Sequence, residues 1–157
     1  MSIAKVRDYF KKYDVEDRVL EFDVSSATVA LAAQALNCAP DRIAKTLSFK
    51  TGEGCILIVT AGGAKIDNAK YKAQFHTKAK MLSPEEAVQL VGHAVGGVCP
   101  FGVNDGVITY LDISLKDYQT VFPACGSDNS AIELTIDELE EYANSKGWID
   151  VCKTSVQ

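Results

Sequence analysis

The chain has 157 residues, 47% of them hydrophobic and 24% charged, which suits one compact domain, 1–157, with a core of its own. That excludes disorder over most of the length, and no disulfide or metal is needed as a staple. The formal charge of −5 argues against a protein that coats nucleic acid, but it is unevenly spread: residues 1–40 sum to −1, 41–80 to +5 and 81–157 to −9. A polyanion would therefore meet the middle of the chain.

In chain order, Ile3, Val6, Phe10 and Tyr13 recur at helical spacing and predict an opening amphipathic helix. Residues 19–24 alternate, with Leu20, Phe22 and Val24 on one side, and read as a strand. Ser25 or Ser26 can cap an alanine-rich helix over 27–36, with Asn37 just past its end. Pro40 opens a turn into a strand over 43–50, and a polar turn leads to a second strand over 55–60, a hairpin. A helix with a basic exposed side follows over 67–75, then a short strand over 78–82. Ser83-Pro84-Glu85-Glu86 is a helix start with a cap, proline at the first position and an acidic first turn. Strands follow over 106–112, 119–122 and 130–134, and Thr135 with Glu138 has capping-box spacing for a last helix ending near Gly147. Helices interleave with closely spaced later strands, which predicts an α+β fold with a mixed sheet.

Five cysteines, at 38, 55, 99, 125 and 152, show no CxxC spacing, and His76 and His93 are the sole histidines. Reduced, mostly buried thiols in a cytoplasmic protein are expected, with no metal site. The N-terminal segment mixes charges and lacks the apolar run of a signal peptide. The longest apolar stretch, 55–61, is too short to span a bilayer, so no membrane association is expected. The glycines form neither GxGxxG nor a P-loop.

Three features could carry chemistry. Strand alternation places Lys45 on one face with Ile43, Leu47 and Phe49. Such a lysine either snorkels at a sheet rim or faces a pocket, where its ammonium can hold an anionic or carbonyl oxygen. The loop 96–102, Gly-Gly-Val-Cys-Pro-Phe-Gly, can pass its backbone close to a ligand and offer N–H groups to an oxygen, or can be a tight connection. The loop 123–130 is small and polar, as many turns are. Cys99 would need a base within hydrogen-bond reach to act as a nucleophile. His93 is expected to point to the opposite face, with no orienting acid in the segment.

Residues 39–47 (Ala-Pro-Asp-Arg-Ile-Ala-Lys-Thr-Leu), 95–102 (Val-Gly-Gly-Val-Cys-Pro-Phe-Gly) and Gly126 through Ile132-Glu133-Leu134 together resemble the YbaK and prolyl-tRNA-synthetase-associated editing domain family. The resemblance runs from about Phe22 to Ile149. It implies a single α+β domain with a mixed, mostly antiparallel, partly closed barrel-like sheet surrounded by helices. It also implies a trans-acting deacylase that hydrolyses the ester of a mischarged tRNA without cofactor, metal or protein nucleophile. The amino acid removed would be small, such as cysteine, alanine or serine, on a tRNA such as that for proline. The implied partners are the aminoacylated 3′ end and prolyl-tRNA synthetase.

By the same resemblance, Lys45 orients the substrate near its ester, the Gly96 backbone N–H contacts the aminoacyl carbonyl, and Pro100 shapes the loop. Thr28, Thr46, Gly97, Gly126 and Ser130 are expected around the substrate, and Lys65, Lys70, Lys72, Lys78 and Lys80 on tRNA phosphates. Two positions depart from bacterial YbaK-like sequences. Ala131 stands where an acidic residue is usual, and Ala27-Thr28-Val29 where pocket-lining side chains are. A non-catalytic module that binds a tRNA end or a synthetase is the alternative on the same fold.

Overall fold

Val6 and Phe10 do lie on one face of a helix, α1 (Ser2–Lys11), and both are fully buried. The structure is a computed structural model that describes residues 2–52 and 54–153. The expected strand over 19–24 shrinks to β1 (Leu20–Glu21), both residues of which are exposed, and of the expected face only Phe22 packs against the core. Val19 is buried, whereas Leu20 and Val24 are exposed, because the segment turns away after one short pairing.

Helix α2 (Val29–Leu36) starts later than expected. Its cap is neither Ser25 nor Ser26 but Thr28, whose hydroxyl accepts from the Leu31 N–H at 3.1 Å. Asn37 ends it in the left-handed conformation, φ 53°.

The hairpin forms as expected from β2 (Ile43–Thr51) and β3 (Gly54–Ala61), paired antiparallel from Ala44–Ala61 to Thr51–Gly54. Strand β3 is buried from Cys55 to its end, as its unbroken apolar run requires of a strand covered on both faces. Helix α3 (Asn68–Phe75) is capped by the Asp67 carboxylate, which accepts from the Ala69 and Lys70 N–H groups. Residues 78–82 form no full strand. Met81 makes one isolated bridge to Phe49, flanked by Lys50 N–H to Lys80 O and Leu82 N–H to Ser48 O.

Ser83 caps α4 (Pro84–Glu86) as expected, Glu86 completes a capping box with it, and the helix runs into a π-helical stretch, Ala87–Val91. Strands β4 (Ile108–Asp112) and β5 (Thr120–Pro123) flank a 3₁₀ segment, Ile113–Asp117. The expected strand 130–134 divides into β6 (Ser130–Ala131), which pairs β1, and β7 (Leu134–Thr135), which pairs β5. Helix α5 (Ile136–Tyr142) has the expected capping box but stops before Gly147, where Asn144 turns left-handed. Strand β8 (Trp148–Ile149) has no counterpart in the sequence reading and pairs β4 in parallel.

The large sheet runs β7-β5-β2-β3-β4-β8 and curls into a half-barrel, with β1 and β6 a small sheet beside it. It is mixed, as expected: β2–β3 and β5–β7 are antiparallel, while β2–β5, β3–β4 and β4–β8 are parallel. The main core lies between the sheet and α1 with α5, around Phe10, Phe101, Leu111 and Leu139. A second cluster packs Phe49, Ile58 and Tyr71 of α3 with Val151.

Candidate functional site

A cavity of ≈ 240 Å³ opens beside β2. Its walls are residues 43–48 of β2, residues 26–29 leading into α2, Val95, Gly96 and Val98 of the glycine loop, and Phe122, Ala124, Ser130 and Ala131. It therefore brings together Lys45, Thr46, Thr28, Gly96 and Ser130, from four distant segments. Gly97, Pro100 and Gly126 are not among its lining residues.

Lys45 is half-buried on β2, opposite Thr60 of β3. Its ammonium donates to the carbonyl oxygen of Ala64, in the turn after β3. Burial holds its pKa below the usual lysine value. The Cys152 side opposes that shift, the Lys65 charge adds to it, and Asp41 opposes it. Below this region lies Asp112, fully buried, whose carboxylate accepts from the Ser114 and Val151 N–H groups, each at 2.9 Å. Both bonds pin the segment after β8 and the 3₁₀ segment, so this buried carboxyl group is bound into the fold.

The two loops meet through glycine. Gly96 has φ +98°, a left-handed backbone that glycine adopts without strain. Gly97 lies flat on the second loop: a Cβ there would sit 2.6 Å from the Ser127 nitrogen and 2.7 Å from the Gly126 carbonyl carbon. These glycines thus set the spacing of two cavity walls. Pro100 faces away from the cavity, in a polar hollow of ≈ 400 Å³ with Tyr9, Lys12 and Asn104.

The cavity hydroxyls differ in their engagement. Thr28 Oγ1 is taken up by its helix cap, and Ser130 Oγ by Ser127 Oγ at 2.6 Å. Thr46 Oγ1 and Ser26 Oγ are buried without a hydrogen-bond partner among the described residues. Ser26 is absent from the sequence-derived site. There Ser25 and Ser26 read as caps, and only the fold shows that Ser26 enters the cavity instead.

Lys65, Lys72, Lys78 and Lys80 are exposed, and Lys72 and Lys78 share a hollow of ≈ 460 Å³ beside α3. Lys70 is otherwise engaged: its ammonium donates to Asp150 at 3.0 Å and to the Cys152 carbonyl at 2.9 Å.

Cys99 and His93 do meet, against the expectation that they face apart. The imidazole Nε2 lies 3.6 Å from Sγ because the turns after the π-helical stretch fold the loop back over His93. The pair is nevertheless no nucleophile and base. Both residues are fully buried, and Nε2–H is committed to the Phe101 carbonyl at 2.7 Å. Burial pushes the Cys99 thiol up to about 12, and desolvation lowers the His93 pKa. Among the described residues there is no group of three metal-ligating side chains, and no helix is long and apolar enough to cross a membrane.

The sequence profile of the aminoacyl-tRNA editing domain matches residues 24–142. The chain is 56% identical over 154 residues to the uncharacterized protein YwhH of Bacillus subtilis (strain 168), covering 98% of each. It is 27% identical over 131 residues to the proline–tRNA ligase of Geobacillus sp. (strain WCH70), 82% of this chain and 23% of that one. A solved structure provisionally described as a trans-editing enzyme for prolyl-tRNA synthetase superposes with TM-score 0.87 at 28% identity, over 98% of each chain.

Proposed function

From a chain that belongs to the aminoacyl-tRNA editing domain family, we propose a deacylase that acts in trans on mischarged tRNA. The observation that carries the proposal is the single small cavity whose lining includes both Lys45 and Gly96. An aminoacyl ester is already activated, so modest stabilisation of its tetrahedral oxyanion suffices. Water attacks the ester carbonyl carbon and gives up a proton to solvent, and the carbonyl electrons move to oxygen. The Gly96 backbone N–H and the Lys45 ammonium stabilise that oxyanion. An ammonium has three N–H groups, so its bond to Ala64 leaves donors for the substrate. Collapse of the intermediate expels the ribose oxygen, which leaves as a hydroxyl once protonated by solvent.

Thr46, Ser130, Thr28 and the Gly97–Gly126 contact shape the space around the aminoacyl group, while Pro100 stiffens the loop from behind. The exposed lysines 65, 72, 78 and 80 form the surface toward which tRNA phosphates are drawn. Proline tRNA is the first substrate to test, because the matched relatives include a proline–tRNA ligase. A second sieve of this kind is needed wherever a synthetase cannot reject a similar small amino acid by binding alone.

The experiment is a deacylation panel of proline tRNA charged with cysteine, alanine, serine or threonine, run with wild type and Lys45→Ala. Hydrolysis lost in Lys45→Ala with the fold intact supports the mechanism, and persistent hydrolysis overturns it. Binding of the tRNA end with no turnover across the panel would instead make the protein a recognition module.

A further inference from the structure

The two unpartnered hydroxyls of the cavity need an explanation. A buried hydroxyl without a partner is costly, and folded proteins rarely leave one. Ser26 is only 8% exposed, and its Oγ has no partner among the described residues; the same is true of Thr46 Oγ1. Both residues line the one cavity. Their backbones are well fixed: the Ser26 N–H donates to Asp128 O at 2.6 Å, and Thr46 is paired with Val59 within the sheet. The orphaned atoms are therefore not a symptom of a loose segment.

The chemistry of the surrounding wall narrows what could satisfy them. Most of it is hydrocarbon, from Val29, Ala32, Leu47, Leu82 and Phe122 among others. No carboxylate lines it, and its one charged residue is Lys45, a cation. A second cation placed against these hydroxyls would have no counter-charge and would be repelled by Lys45. A neutral group that both donates and accepts suits them: it can give its proton to one hydroxyl and take one from the other. A methyl group there would leave both unpaired.

We propose that Ser26 and Thr46 are specificity-determining residues whose hydroxyls read a hydroxyl on the side chain of the aminoacyl group, so that the favoured substrates are seryl or threonyl esters. The inference rests on the deacylase reading and adds to it the chemistry of the group removed. Discrimination arises because the alanyl ester forfeits hydrogen bonds that the seryl ester makes.

The test is the ratio of seryl to alanyl hydrolysis on the same tRNA. A ratio is insensitive to the fraction of enzyme that is folded, so a destabilised variant remains informative. Wild type is expected to favour seryl over alanyl by roughly tenfold or more. Ser26→Ala and Thr46→Val should each pull the ratio down by about tenfold, and Ser26→Thr, which keeps the hydroxyl, should restore most of it. A ratio unmoved by both Ser26→Ala and Thr46→Val overturns the inference, as does a wild type that prefers alanyl. The Lys45→Ala arm separates the two levels. If all esters survive in Lys45→Ala but the ratio still follows Ser26, the mechanism fails and the specificity pair stands. If wild type hydrolyses none of the esters, both fail.

Discussion

The Lys45 ammonium is hydrogen-bonded to the carbonyl oxygen of Ala64, so the proposed catalytic cation is held by the backbone turn that follows the neighbouring strand. Its placement conflicts with its solvation, because burial lowers its pKa. Replacing it with Met, of similar length, should abolish hydrolysis and raise the thermal midpoint, the usual exchange at an active site. In the folded state the charged form is disfavoured, so the penalty applies at low pH and fades as pH rises through the lowered pKa. The advantage of Lys45→Met in thermal melts should therefore shrink at alkaline pH. Wild-type hydrolysis should fall through an apparent pKa below 10.5.

Gly97 should tolerate no side chain. An alanine Cβ would sit 2.6 Å from the Ser127 nitrogen, and backbone cannot give way as the end of a flexible side chain can. Gly97→Ala is expected to cost about 1–3 kcal/mol in denaturant unfolding. Hydrolysis should fall further than stability, because the two loops that wall the cavity are forced apart.

Cys99 should be dispensable for turnover. With its thiol pushed up to about 12 and fully enclosed, there is almost no thiolate at neutral pH. Cys99→Ala should retain hydrolysis at proportionate folded concentration. It should lose about 1 kcal/mol of stability from the small void it leaves in the main core. Iodoacetamide should label Cys38, which is half-buried, before Cys99.

The basic surface should act through KM. Lys72 and Lys78 are exposed and share one hollow, so reversing both to Glu should raise KM for charged tRNA severalfold and flatten its salt dependence. Lys70→Glu is expected to differ. Its ammonium ties α3 to Asp150 and to the Cys152 carbonyl, so the change should lower the thermal midpoint as well. Hydrolysis by wild type that is flat from low to high salt would mean that these lysines are merely a solvated helix face.

Local signals in the chain are legible where local physics decides. The Ser83 cap, the Thr135–Glu138 capping box and the left-handed Asn37 all form as their side chains require. The β2–β3 hairpin was legible because its apolar run is long and bounded by a polar turn. What stayed hidden depends on distant partners. Strand β8 exists because β4 offers it an edge, and the division of residues 130–134 follows from two different neighbours, β1 and β5. The same holds at the site. Lys45 and Gly96 stand out by type and motif, whereas Ser26 looks like any helix-capping serine until the loop 122–131 folds across it. Lys70 reads in the sequence as one more lysine for tRNA phosphates because its partners, Asp150 and Cys152, lie eighty residues or more away.

The cavity walls come from Ser26, β2, the glycine loop and the residues up to Ala131, and no two adjacent segments suffice to enclose it. During synthesis, the nascent chain therefore has no enclosed site until Ala131 has left the ribosome, however early the hairpin forms. A protein proposed to correct errors in translation would thus lack that capacity while only its hairpin has emerged from the machine whose errors it corrects.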